Sequence, residues 1–111
     1  MTTQGIGHLY IETHDWSASR AFWESLGFTL EYDTGHGSGQ FVAPNGTRLF
    51  VAEQSPEDPV ATSIYLAVEA ADGFAASAPV VFPWTSTHWG TQVMSVRDPD
   101  GRLIRLEAPA P

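Results

Sequence analysis

The sequence predicts an α+β protein built from two copies of one βαβββ module. The first observation is that the strand-like segments HLYIE (residues 8–12) and SIYLA (residues 63–67) resemble each other. The second is that the turn-and-strand segments APNGTRLFVAE (43–53) and DPDGRLIRLE (98–107) also match. The third is that the order of strand, helix and three further strands occurs in both halves. A repeat of about 50 residues is typical of two like modules packed around a pseudo-twofold axis.

The first module begins with a strand at 8–13, in which Leu9 and Ile11 alternate with polar and aromatic neighbours. Asp15 is an expected N-cap for the helix that follows, and Gly27 is an expected stop. Apolar side chains recur at helical spacing between these two residues. The segments 28–32, 40–43 and 47–52 have the composition of strands. They are separated by a glycine-rich loop at 33–39 and a Pro-Asn-Gly turn at 44–46.

The second module follows the polar, proline-containing segment QSPEDP (54–59). Its expected elements are a strand at 63–68, a short helix at 70–77, a strand-like stretch at 80–82, and a hairpin. The hairpin pairs 89–97 with 102–107 around the Asp-Pro-Asp-Gly turn. We therefore expect one domain over residues 1–111, with module one at about 5–54, a linker at 55–61 and module two at about 62–108.

Charge and composition narrow the classes of partner. The 111 residues include thirteen acidic residues, five arginines and no lysine, for a net charge of −8. Such a chain is a poor partner for nucleic acid or an anionic membrane, and it favours a cationic ligand or simple solubility. No cysteine is present. No apolar stretch approaches the about 20 residues of a membrane span, and no secretion signal is recognisable, so we expect a cytoplasmic protein.

The chain resembles a known family, the vicinal oxygen chelate superfamily, which includes glyoxalase I, extradiol dioxygenases and bleomycin-resistance proteins. The resemblance rests on HLYIETHDWSASRAFWESLGF at the start, WGTQVMSVRDPDGRLIRLE at the end, and the element order between them. It implies the glyoxalase/bleomycin resistance fold, in which paired βαβββ modules roll a mixed sheet into a cup. It also implies a homodimer.

Enzymes of this superfamily usually hold a divalent metal at four positions, which the resemblance assigns to His8, Phe50, Ser63 and Arg105. Phenylalanine offers no lone pair, serine is a weak ligand, and a guanidinium repels a cation. Because divalent sites need three or more protein ligands, we expect no metal and no other cofactor. A different site built from His8, Glu12 and Glu107 is an alternative, and so is a purely structural role for His8.

Arg105 raises the question of what the second hairpin faces. Alternation predicts that Arg105 points into the cup while Ile104 and Leu106 point into the core. The predicted ligand-binding residues are His8, Tyr10, Glu12, Phe50, Ser63, Tyr65, Trp84, Trp89, Leu103 and Arg105. For Trp84 and Trp89, a place in the core or an interface is an open alternative. The residues expected in the core or an interface are Trp16, Phe22, Trp23 and Phe28.

Three functions fit the sequence. The resemblance is closest to the bleomycin-resistance branch, through Phe22-Trp23, Leu49-Phe50, Trp89-Gly90 and Arg97-Asp98-Pro99. It implies a non-catalytic homodimer that sequesters a small aromatic or cationic compound, such as an antibiotic. The alternative is a metal-dependent lyase or dioxygenase acting on a small oxygenated substrate, which the replacement of three metal positions disfavours. The third is a scaffold whose cup is vestigial.

Overall fold

The structure, a computed structural model, describes residues 2–76 and 78–111. It divides into two compact units, one of residues 8–62 and one that joins the residues up to 7 with residues 63–111. The elements are β1 (Ile6–Thr13), α1 (Trp16–Ser25), β2 (Thr29–Asp33), β3 (Ser38–Val42), β4 (Arg48–Glu53), β5 (Thr62–Ala67), β6 (Val80–Ser86), β7 (Thr91–Arg97) and β8 (Leu103–Pro109).

Both units contain the same mixed four-stranded arrangement. In the unit of residues 8–62 the strand order is β2-β3-β4-β1, and β4 runs parallel to β1. In the other unit the order is β5-β8-β7-β6, and β8 runs parallel to β5. The predicted repeat of strands is therefore confirmed, and the α+β class with it.

The helix α1 has the predicted ends. The Asp15 side chain accepts a hydrogen bond from the backbone N–H of Ala18 at 3.0 Å. Gly27 follows the C-cap with φ +100°, a conformation that glycine adopts without a Cβ clash. No helix in the described residues is long and apolar enough to span a membrane.

Each unit has its own apolar core, set by strand alternation. In the unit of residues 8–62, Phe41, Leu49 and Val51 are buried, and Trp16 and Trp23 pack against them from the helix. The helix does not bury all its apolar side chains, because Phe22 is 54% and Leu26 is 61% exposed. The core of the other unit consists of Val68, Met94, Val96, Leu106 and Ala108.

The helix predicted at 70–77 is wrong over its described residues, 70–76, which form bends and a turn. Gly73 has φ +78°, a left-handed conformation that ends any helix begun before it. One turn closes there, with the N–H of Phe74 donating to the carbonyl of Ala71 at 3.1 Å. So short a segment gains too few backbone hydrogen bonds to offset helix nucleation. Instead it packs Phe74 against the core. The last residue of the prediction, Ser77, lies outside the described residues.

Candidate functional site

The hairpin of β7 and β8 places a cationic side chain opposite a small polar one. Its register pairs Ser95 with Arg105 and Met94 with Leu106. Because side chains alternate across a strand, Met94 and Leu106 enter the core while Ser95 and Arg105 lie on the opposite face. Ser95 is nevertheless only 1% exposed.

A cavity of about 420 Å³ opens on this face, wholly within the unit of residues 63–111. Its wall combines aromatic rings, hydroxyl groups and one guanidinium. The lining residues are Tyr65, Phe82, Thr85, Ser86, Thr87, His88, Trp89, Val93, Ser95 and Arg105. We call this space the Arg105 cavity.

Within the described part of the chain, one side chain, that of Ser95, accepts a hydrogen bond from Arg105. Its Nη1 donates to Ser95 Oγ at 2.6 Å, while its Nε is buried and has no hydrogen-bond partner. Among the residues that the structure describes, no carboxylate comes within 4.0 Å of the guanidinium. A partly buried positive charge without a paired negative charge is unfavourable in a protein and attracts an anion.

Trp89 lies at the edge of the cavity on the loop between β6 and β7. Thr87 and Thr91 close this loop through a backbone hydrogen bond of 2.9 Å, and Gly90 supplies the left-handed residue with φ +88°. The Trp89 ring is 54% exposed, yet its orientation is set, because Nε1 donates to Glu107 Oε2 at 2.8 Å. The hydroxyl of Thr91 donates to the same oxygen at 2.9 Å.

Tyr65 contributes a neutral phenol to the wall. Burial raises the pKa of Tyr65, and the negative charge of Glu107 adds to the effect, while the positive charge of Arg105 opposes it. A phenol that stays protonated at neutral pH can donate a hydrogen bond as well as present its ring.

The unit of residues 8–62 contains a separate group of predicted site residues. The rings of Tyr10 and Phe50 stack at 6.3 Å, and Tyr32 meets Phe50 at 6.4 Å. The Tyr10 hydroxyl donates to Glu12 Oε2 at 3.1 Å. The other Glu12 oxygen accepts the backbone N–H of Ala61 at 2.9 Å. Glu12 therefore anchors the linker to β1.

Four other predicted site residues do not line the Arg105 cavity. His8 and Ser63 are half-buried on β1 and β5, and Leu103 pairs with Arg97 at the turn end of β8. Trp84 packs against the core, with Phe74 edge-on at 6.1 Å, and lines a second cavity of about 520 Å³. Only Tyr65, Trp89 and Arg105 of the ten predicted residues line the Arg105 cavity.

Several lining residues were not predicted from the sequence. The register of the Asp-Pro-Asp-Gly hairpin places Ser95 directly opposite Arg105. Counting residue pairs along the two strands from that turn would have identified Ser95 from the sequence. Phe82 and Thr85 had no such signal. They lie on β6, whose pairing with β7 shifts register twice around Pro83, so alternation does not predict their faces.

The residues that the resemblance assigns to metal positions do not fit a divalent cation. Phe50 has no donor atom, and Arg105 presents hydrogen-bond donors and a positive charge. Residues 2–76 and 78–111 contain no group of three or more histidine, aspartate or glutamate side chains arranged to hold a metal ion.

Comparison with known proteins shows the fold. No protein-family model and no curated protein sequence matches the chain. A glyoxalase/bleomycin resistance protein/dioxygenase superfamily member from Vibrio splendidus matches with a TM-score of 0.67 at 16% identity, over 96% of this chain and 99% of that one. An NAD-dependent benzaldehyde dehydrogenase from Legionella pneumophila matches with a TM-score of 0.67 at 17% identity, over 91% and 96%. The chain thus has the glyoxalase/bleomycin resistance fold.

Proposed function

We propose that this chain uses the glyoxalase/bleomycin resistance fold to bind a small planar aromatic compound without transforming it. The observation that supports the proposal is the Arg105 cavity, which Phe82 and Trp89 line with exposed rings and Thr85 and Thr87 line with hydroxyl groups. Its volume of about 420 Å³ falls within the range typical of small-molecule sites. An aromatic antibiotic is one compound of this class.

The exposed rings are the main source of affinity in this proposal. Phe82 and Trp89 are 55% and 54% exposed, and both line the Arg105 cavity. A flat ligand would cover them, and each favourable ring contact contributes about 0.5–1.5 kcal/mol beyond the area it buries. The hydroxyl groups of Thr85 and Thr87 would orient the ligand.

The absence of catalysis is part of the proposal and rests on which residues occupy the family's metal positions. The resemblance assigns Phe50 and Arg105 to two of those positions, and neither a phenyl ring nor a guanidinium can serve as a ligand. Added Zn²⁺ or Mn²⁺ should therefore leave the melting temperature unchanged. A metal-dependent rise in melting temperature that His8→Ala removes would support the lyase or dioxygenase alternative.

We also propose that the protein is a homodimer. Phe22 on α1 and Leu26 at its C-cap lie one turn apart and leave an exposed apolar strip. A second copy of the chain would cover such a strip. Light scattering at micromolar concentration should give the mass of two chains, and Phe22→Glu should give the mass of one.

Calorimetric titration with planar aromatic compounds tests the binding proposal. Loss of the ring in Trp89→Ala should weaken binding about three- to tenfold, whereas Trp89→Phe, which keeps a ring, should lose about threefold or less. If Trp89→Ala binds such compounds as tightly as the unmodified protein, the cavity is not their site.

A further inference from the structure

We infer that the ligand of the Arg105 cavity carries an anionic group, most simply a carboxylate, which pairs with the Arg105 guanidinium. This inference rests on the proposed function and adds the chemical class of the ligand. It differs from the expectation based on net charge, which favours a cation. The positive charge of Arg105 acts on a bound ligand at contact distance, whereas the net negative charge of the chain mainly affects a ligand that is still approaching.

Among the residues that the structure describes, Arg105 has no carboxylate to pair with its charge. In that part of the chain Arg20, Arg48 and Arg102 each pair with a carboxylate. Arg97 donates to the carbonyl of Gly101 instead, but it is exposed to solvent, whereas Arg105 is partly buried. Arg105 donates to the neutral Ser95 hydroxyl, which accepts one of the several N–H groups that a guanidinium carries. A carboxylate from the ligand would supply the missing negative charge in the bidentate geometry that arginine favours.

The carboxylate nearest to Arg105 along β8, that of Glu107, already accepts hydrogen bonds from other side chains. Glu107, two residues along β8, accepts hydrogen bonds from Trp89 at 2.8 Å and Thr91 at 2.9 Å. Its negative charge repels an anion in the cavity, but these donors partly offset it.

The residues around Arg105 suit an acid attached to a ring. Tyr65 is directly opposite Arg105 in the β5–β8 register and stays protonated, so it can present a phenol rather than a phenolate to an anion. Trp89 and Phe82 lie on the same cavity wall and offer ring faces. An aromatic carboxylate matches both the charge and the apolar surface.

Three compounds with one ring system test the inference: 2-naphthoate, the neutral 2-naphthalenemethanol and the cationic 2-naphthylmethylammonium. Calorimetry on the full chain should show naphthoate binding about ten- to a hundredfold more tightly than the alcohol, as expected for a hydrogen bond between charged groups. Arg105→Gln should abolish that preference while changing the affinity for the alcohol about threefold or less. Arg20→Gln removes the same charge from an exposed position and should preserve the preference.

Arg105→Lys and Ser95→Ala keep the positive charge and protect the test against misfolding of Arg105→Gln. Lysine lacks the planar fork, and Ser95→Ala frees the guanidinium to move, so each should retain part of the preference. Equal or tighter binding of the alcohol or the ammonium compound by the unmodified protein overturns this inference alone. Failure of all three compounds to bind overturns the proposed function as well.

Discussion

Replacement of Glu107 tests how the cavity wall is held in place. Glu107 Oε2 accepts two hydrogen bonds, from Trp89 Nε1 at 2.8 Å and from Thr91 Oγ1 at 2.9 Å. Thr91 also pairs with Thr87 across the loop, through hydroxyl groups 3.0 Å apart. Glu107→Ala therefore removes the acceptor that connects the β6–β7 loop to β8.

The size of the effect follows from the two bonds. A hydrogen bond to a charged group contributes about 1.5–3 kcal/mol when shielded from water, and the one from Trp89 falls below this range because its ring is 54% exposed. Together they should contribute about 2–3 kcal/mol to the free energy of unfolding. For a domain of this size that corresponds to a fall in melting temperature of about 8–12 °C.

Glu107→Gln separates the charge from the hydrogen bonds. Its amide oxygen can still accept from both donors, but as a neutral group, so about half of the stability should return. Glu69→Gln, which removes a charge from an exposed position of the same unit, is the matched control and should melt within about 2 °C of the unmodified protein. Calorimetric melting and urea denaturation both report these differences.

The affinity for the ligand should fall in the same order as the stability, from the unmodified protein through Glu107→Gln to Glu107→Ala. Without its hydrogen bond to Glu107 the Trp89 ring has more freedom, and binding must restrict it. We expect about a threefold loss of affinity for Glu107→Gln and about tenfold for Glu107→Ala. If Glu107→Ala melts and binds like the unmodified protein, the hydrogen bonds do not hold the wall and the reasoning is refuted.

Two further predictions concern stability. Gly39→Ala should lower the free energy of unfolding by about 1–3 kcal/mol, because its Cβ would lie 2.7 Å from the carbonyl oxygen of Tyr32; Gly7→Ala, whose Cβ has 3.4 Å to its nearest atom, is the control for urea denaturation. Hydrogen bonds, first of all from the backbone N–H of Arg102, lower the pKa of Asp98. The resulting stability is fully present above the unfolded pKa of about 4 and is lost as the pH falls through the lowered pKa. Asp98→Asn should therefore weaken the pH dependence of the melting temperature over that range. An unchanged pH dependence in Asp98→Asn would contradict this assignment.

The elements of the chain were largely predictable because their signals are local. Alternation in HLYIET and RLIRLE placed strands to within about two residues of those observed, and Asp15 and Gly27 marked the helix ends. The helix prediction failed in the segment 70–76. Its alanines favour a helix, whereas the left-handed Gly73 and the packing of Phe74 against the core favour a turn.

The orientation of Arg105 away from the core was also predictable, since Ile104 and Leu106 on either side are apolar. The sequence could not predict which aromatic rings accompany it. Trp84 on β6 and Trp89 on the loop after it are five residues apart, yet they line different cavities. Register shifts around Pro83 decide which face each residue of β6 takes.

The sequence by itself determined the repeat, the strand faces and the cationic residue on the sheet face opposite the core, because each depends on neighbours within a few positions. Only the tertiary structure decided that Ser95, Tyr65 and Trp89 surround Arg105 and that Glu107 holds the Trp89 ring. These contacts join residues from four segments whose pairing depends on strand register and on the path of a loop. Such information is not contained in any single stretch of the chain.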